Sequence, residues 1–243
     1  VFDVYWLLFP ILLSAPQPAS SQTPAPPPPR FEGSAEFSYV GTSGNSSTQT
    51  LGSGITTKLR LDGWTITSKA AMVRNKDREA LKAQSTTFST EAGRVIRDRV
   101  SVVAKYEFLR DRFAGTRQRH TAEAGVSLDA VSGARQTLKL RAGAGYANEQ
   151  RIAADNISTA IATTGLTYSY AISDSSRVEN ETTAEFSLQD GADQRVTNVA
   201  SVSAQLNSTF SLKVKHTVRW VKTPAPGFRK TDTTTAVALV AKF

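Results

Sequence analysis

No cysteine occurs among the 243 residues, which excludes disulfides, thiolate metal sites and an acylated N-terminal cysteine. Histidine is nearly absent as well, with two residues, His120 and His216, far apart in the chain. They form no metal-ligand cluster, so neither a metal nor another cofactor is expected. No uninterrupted apolar run reaches the ~18 residues that a membrane helix requires, and the mean hydropathy is -0.27. A helical membrane protein is thereby excluded. The glycine-bearing stretch Gly41-Thr-Ser-Gly44-Asn-Ser-Ser lacks the Gly-Lys-Ser/Thr of a phosphate-binding loop and reads as a flexible connector.

What the chain does have is alternation. Its last residues, Thr231 to Phe243, put Val237, Leu239, Ala241 and Phe243 on one face, and Lys242, Ala238, Ala236, Thr234 and Asp232 on the other. A strand that ends the chain on an aromatic reads as the closing strand of an outer-membrane barrel, with Val237, Leu239, Ala241 and Phe243 as the assembly signal met by the barrel-assembly machinery. From Phe31 onward, alternating segments are separated in turn by short and long polar connectors. The short ones fall at Leu61-Asp-Gly63, Arg97-Asp98, Val131-Ser-Gly133, Ser173-Asp174 and Asn207-Ser208, a spacing of about 35 residues that suits one long hairpin each. The long ones lie around 41–47, 74–79, 110–117, 147–156, 189–194 and 223–230. Together they predict an all-β, antiparallel, up-and-down transmembrane β-barrel of about 12 strands, each of about 12 to 14 residues.

The segment before the barrel is different. An apolar run from Val4 to Leu13 is followed by small residues and then by the Pro-rich stretch Thr23 to Pro29. It reads as a signal peptide over 1–21 and a Pro-rich linker over 22–30, leaving 31–243 as the barrel. The run begins Val1-Phe2-Asp3, without the Lys or Arg that usually precedes such a segment. Export to the outer membrane of a Gram-negative type bacterium follows from the apolar run and the barrel pattern together.

The dyad rule assigns faces. In 210–221 the set Phe210, Leu212, Val214, His216, Val218 and Trp220 faces lipid, and Ser211, Lys213, Lys215, Thr217 and Arg219 face the lumen. Extended to the other strands, the rule gives lumen charges at Lys58, Arg60, Lys139, Arg141, Glu179, Glu181, Glu185, Lys213, Lys215 and Arg219. Outward aromatics sort to the two strand ends as girdles. Trp64, Tyr168, Tyr170, Phe210 and Phe243 lie at the periplasmic rim, and Tyr39, Tyr106, Phe108, Tyr146 and Trp220 at the outer one.

The formal net charge is +8. Basic residues alternate with Thr, Ser or Glu along strands, which argues against nucleic acid and for outer-membrane lipids and the phosphate layer of lipopolysaccharide as partner. Arg74, Lys76, Arg78, Arg110, Arg112, Arg117, Arg229 and Lys230 are expected in surface loops at that level. The acid-rich strand 177–188 faces basic neighbours at 135–146 and 210–221. Such charges either make a transverse field that passes small solutes or pair across the lumen and plug it. An enzyme is not expected. The alternative is an outer-membrane lipid hydrolase using outward residues, but His216 has no serine on its own face of its strand, since Ser211 points the other way. Asp190 and Asp193 are a weak candidate for surface calcium, with a solvated turn as the plainer reading.

Several motifs carry a family resemblance: Tyr106-Glu107 through Asp111-Arg112-Phe113-Ala114-Gly115, Gly143-Ala-Gly-Tyr146, and Pro226-Gly227-Phe-Arg-Lys230-Thr-Asp-Thr233, with Gly44-Asn45 in the first loop. Over about Phe31 to Phe243 the chain resembles the YdiY-like, salt-induced outer-membrane protein family, a domain of unknown function (481). The resemblance implies an outer-membrane barrel and carries over no catalytic residue. Restricted solute passage and structural support of the envelope are the two functions that fit.

Overall fold

Strict alternation carries the chain into twelve strands, which the computed structural model describes over residues 29–42, 48–77, 80–189, 191 and 193–243. The expected signal segment 1–21 and most of the 22–30 linker lie outside the described residues. The strands are β1 Phe31–Thr42, β2 Thr48–Leu61, β3 Trp64–Asp77, β4 Ala80–Arg97, β5 Val100–Asp111 and β6 Thr116–Ser132, followed by β7 Gln136–Arg151, β8 Ile157–Ala171, β9 Ser176–Ser187, β10 Gln194–Gln205, β11 Phe210–Val221 and β12 Thr231–Lys242. Each pairs antiparallel with its sequence neighbours, and β12 pairs with β1 to close the barrel.

The five short connectors turn where the turn chemistry stands. Asp62 and Gly63 both have positive φ, 30° and 84°, as a two-residue hairpin turn with the right twist requires. At 206–209 the Asn207 side chain accepts from the Thr209 and Phe210 amides at 2.9 and 2.8 Å. These turns and both chain ends mark one end of the barrel, the turn end, and the longer connectors mark the loop end.

Strand length departs from expectation. Runs of 18, 17, 16 and 15 residues occur in β4, β6, β7 and β8, because the alternation continues past the width of a hydrocarbon layer. Arg74, Lys76, Arg110 and Arg117 therefore sit on strands rather than in loops. Arg112 lies in a short 3-10 turn, Arg112–Ala114, Arg229 and Lys230 lie in the β11–β12 connector, and Arg78 falls outside the described residues. The connector expected at 147–156 is likewise shorter, since β7 runs to Arg151.

The large apolar side chains are on the outside, among them Phe37, Ile55, Phe88, Leu140, Leu212 and Leu239, an inside-out arrangement that only a hydrocarbon solvent rewards. The inward face is polar. On the wall made by β6 and β7 it is also glycine-rich: a Cβ at Gly125 or Gly145 would lie 2.2 Å from the Ala142 or Ala122 carbonyl oxygen. Glycine there lets the wall curl sharply.

Closure rests on few residues. The β1–β12 ladder pairs Ser34–Phe37 with Leu239–Lys242. Below it Gly33 and Phe243 exchange both backbone hydrogen bonds, at 2.8 and 3.0 Å. The Phe243 ring covers Gly33 so closely that a Cβ there would lie 2.2 Å from the ring, and Phe31 flanks it with ring centroids 6.4 Å apart. Gly33→Val should therefore displace the ring from the seam. The expected cost is about 1–3 kcal/mol, read as a lower urea midpoint in detergent micelles, and an unchanged midpoint would show that the ring does not hold the seam.

Candidate functional site

The lumen is the place where this fold gathers chemistry, and most of its charges are paired. Near the loop end, β6, β7, β9, β10 and the connector before β10 bring six of them together. Arg119 donates to Glu149 at 2.9 Å and to Glu185 at 2.6 Å. Arg195 reaches Glu149 at 2.5 Å and Asp193 at 3.3 Å, and Arg151 lies 3.7 and 3.6 Å from the same two acids. The Thr116 hydroxyl donates to Glu149 at 3.0 Å. The side chains of Glu149 and Arg119 are 3% and 5% exposed, so the cluster excludes most solvent.

Further toward the turn end the pairs bridge strands. Arg141 on β7 meets Glu123 on β6 at 3.1 Å and also Glu91 on β4. Lys213 and Lys215 on β11 share Glu36 on β1 at 2.9 and 3.3 Å, over the top of β12. Two pairs cross the full lumen: Lys69 on β3 to Glu181 on β9 at 3.1 Å, and Arg219 on β11 to Asp111 on β5 at 3.6 Å. Each joins strands that stand opposite one another in the ring. Between Lys105, Glu107, Thr121, Glu123, Thr183 and Glu185 a cavity of about 10 Å³ remains, the room of one water.

Near the turn end Arg60 pairs with Glu32 at 2.8 Å and Lys139 with Asp129 at 3.5 Å. Register places Lys58 opposite Glu32, and Glu179 opposite Ser169 and Ser201. The ten lumen positions named from sequence thus all lie on the inward face, but with other partners than the acid-rich and basic strands suggested. Arg141 takes Glu91 and Glu123 instead of the β9 acids, while Glu181 and Glu185 take Lys69 and Arg119. The acids do not stand as a free field across the pore.

Glu91, Asp111, Glu149, Arg151, Asp193 and Arg195 were not among those positions. Parity alone would have found Glu149 and Arg151, which continue the inward series of Arg141 once β7 is allowed its full length. Asp193 is no solvated calcium ligand; it is buried between Arg151 and Arg195. Asp190 lies outside the described residues.

Among the described residues, two connectors meet at Gly115 at the loop end. A Cβ on Gly115, φ 84°, would meet the Phe228 ring at 3.0 Å and the Ala225 Cβ at 3.2 Å. The β11–β12 connector therefore reaches across the opening to the 3-10 turn between β5 and β6. Ile152 of the β7–β8 connector donates to the Gly115 carbonyl at 2.9 Å.

On the outer face the aromatics collect by strand end. At the turn end the Arg94 guanidinium lies 5.7 Å from the Trp64 ring centroid, the Tyr168 hydroxyl is 3.5 Å from Gln136, and Tyr170, Phe210 and Phe243 share that rim by register. Toward the loop end the Tyr106 hydroxyl meets His120 Nδ1 at 2.8 Å, beside Phe108 with ring centroids 5.2 Å apart. Tyr39, Tyr146 and Trp220 lie at the same end. His216 Nδ1 lies 2.8 Å from the Thr235 hydroxyl. Val237, Leu239 and Ala241 run outward along β12 toward Phe243.

Among solved structures, an outer-membrane channel of Pseudomonas putida F1 shares the fold with a TM-score of 0.52 at 8% identity, over 93% of this chain and 100% of that one. A NanC porin aligns at 10% identity over 87% and 97% of the two chains, TM-score 0.47, and a KdgM porin at 9% over 88% and 98%, TM-score 0.42. No curated protein matches the chain. The family is clear nonetheless: residues 35–243 match the family described as Protein of unknown function, DUF481, and the chain belongs to it.

Proposed function

We propose that this protein is an outer-membrane barrel sealed by its own lumen charges, acting in support of the envelope rather than as an open solute pore. The observation that carries this reading is the pair of cross-lumen bridges, Lys69 to Glu181 and Arg219 to Asp111, which span the interior between opposite walls. Barrels of ~8 strands are filled by side chains and those of ~16–18 conduct. At twelve strands the outcome depends on what occupies the interior, and long Arg, Lys and Glu side chains reach across this one.

Charge balance supports the same role. Every inward basic side chain named above except Lys58 has a carboxylate partner, so the excess behind the +8 net charge belongs to rims and connectors. Arg110, Arg112, Arg229 and Lys230 at the loop end suit the phosphate layer of lipopolysaccharide, and Arg94, Arg97, Arg99 and Arg135 at the turn end suit phospholipid headgroups. A barrel gripped at both rims by anionic lipid tightens the leaflets it spans.

Planar bilayers test the seal. The wild-type protein should be electrically silent, and Lys69→Ala with Arg219→Ala should produce discrete conductance steps. A steady large conductance from the wild type would sink the reading.

The buried cluster gives a second test. Arg119→Met strips Glu185 of its partner and should cost about 3 kcal/mol in urea unfolding. Adding Glu185→Leu should restore most of that loss, because no orphaned charge then remains. If the double variant is as weak as the single, the pair is not what the loss measures.

A further inference from the structure

We propose that the loop-end half of the β1–β12 seam is a lateral portal through which the headgroup of a sugar-bearing outer-leaflet lipid reaches the lumen. The inference is independent of whether the lumen conducts.

Three observations converge on it. First, among the described residues the β1–β12 ladder stops at Phe37–Leu239, although both strands continue: β1 to Thr42 and β12 back to Thr231. The same stretch of β1 remains fully paired with β2 on its other side, and that of β12 with β11. Two strand edges therefore face one another without a shared ladder. Such edges do not persist against hydrocarbon and are tolerated where they line a wet cavity.

Second, Thr231, Asp232, Thr233, Thr234 and Thr235 are exposed on both faces. Inward residues elsewhere in the barrel are mostly covered, and near the turn end Ala238 and Val240 of the same strand are buried. The inward residues of this segment are therefore open to solvent.

Third, the axial way out is crossed by a connector and by an ion pair. The β11–β12 connector lies over the mouth against Gly115, and Arg219 bridges to Asp111 beneath it. An opening at the seam bypasses both.

The chemistry of the slot points to the occupant. Its edges carry hydroxyls, Thr231, Thr233, Thr234 and Thr235 on β12 and Ser38 on β1, and behind them stand Asp232 and the Arg219–Asp111 pair. Hydroxyl, carboxylate and guanidinium groups together hydrogen-bond a polyhydroxylated headgroup. Outside, Phe37 and Tyr39 on β1 are 57% and 60% exposed and would flank the acyl chains. Continuing the register, Ser38 would stand opposite Ala238, so the slot can close as well as open.

The absence of native cysteine makes the test clean. In intact Gram-negative cells, p-benzoylphenylalanine replaces Ser38, Thr234, Val237 or Val240 of the full chain, and adducts formed by light are identified by mass spectrometry. Outward Val237 should capture lipid in any case, and Val240, inward and covered, none. The portal predicts glycolipid adducts at Thr234 and Ser38, and loss of the Thr234 adduct when Ser38→Cys and Ala238→Cys are oxidised to lock the seam. Lipid at Val237 with none at Thr234 or Ser38 would overturn the proposal. So would adducts at Thr234 that are phospholipid or polypeptide, the latter marking an added strand, or that survive the lock.

Discussion

Everything in this molecule follows from one constraint, that a sheet immersed in hydrocarbon has no water to satisfy its edges and must close on itself. Closure fixes parity: with a side-chain period of two, each residue faces either lipid or lumen, and a one-residue slip would exchange the sets. Pairing accordingly runs the length of the shared strands at eleven of the twelve junctions, with bulges at β3–β4, β4–β5, β5–β6 and β6–β7. At the twelfth, where the chain's two ends meet, the ladder is short and rests on the Gly33–Phe243 pair below it. The terminal aromatic shields those backbone bonds from competition at the rim, which a glycine opposite makes possible.

Parity also creates the problem that the interior solves. The polar half of every strand is turned inward, and twelve strands enclose too little space to hydrate it freely. Charges so confined lose much of their solvation and are stable only when paired. That explains why Glu149, hardly exposed, is met by Arg119, Arg195 and Arg151, and why lysines on β3 and β11 extend to acids on other walls. A lumen packed this way gains specificity more than stability, since each charge fits one arrangement of the strands.

How much of this was legible in the sequence depends on whether the information is local. The turn at Asp62-Gly63, the count of twelve and the facing of Lys213, Lys215 and Arg141 come from neighbouring residues, and reading them needs no third dimension. Partner choice is not local. Arg141 on β7 reaches Glu91 on β4, past β6 and β5, and no spacing along the chain encodes that approach. The Glu149–Arg151 pair was hidden because the polar stretch 147–156 reads as a connector, whereas β7 runs on to Arg151. The short seam was hidden by the opposite effect: alternation runs unbroken through Thr231, so the sequence looks fully paired where the edges part.

The outer face shows the same logic from the lipid side. Polar groups there are few and are mostly satisfied by one another: Asn198 donates to Asn180 and Thr182 at 3.2 and 2.8 Å, and His216 meets Thr235. These residues lie on β9 to β12, and His216 and Thr235 stand directly beside the unpaired edge of β12. An apolar band that covered this sector would hold the unpaired amides of the seam against hydrocarbon, at several kcal/mol for each unsatisfied group. A polar sector beside the seam lowers that cost by letting water and headgroups approach. The threonines of β12, unsuited to anchoring a strand in lipid, are suited to an edge that must be wet when open and pair when closed. The sealed lumen and the hydroxyl-lined seam are therefore two consequences of the same closure: where side chains fill the interior the barrel is rigid, and where the ladder ends it has one place left to open.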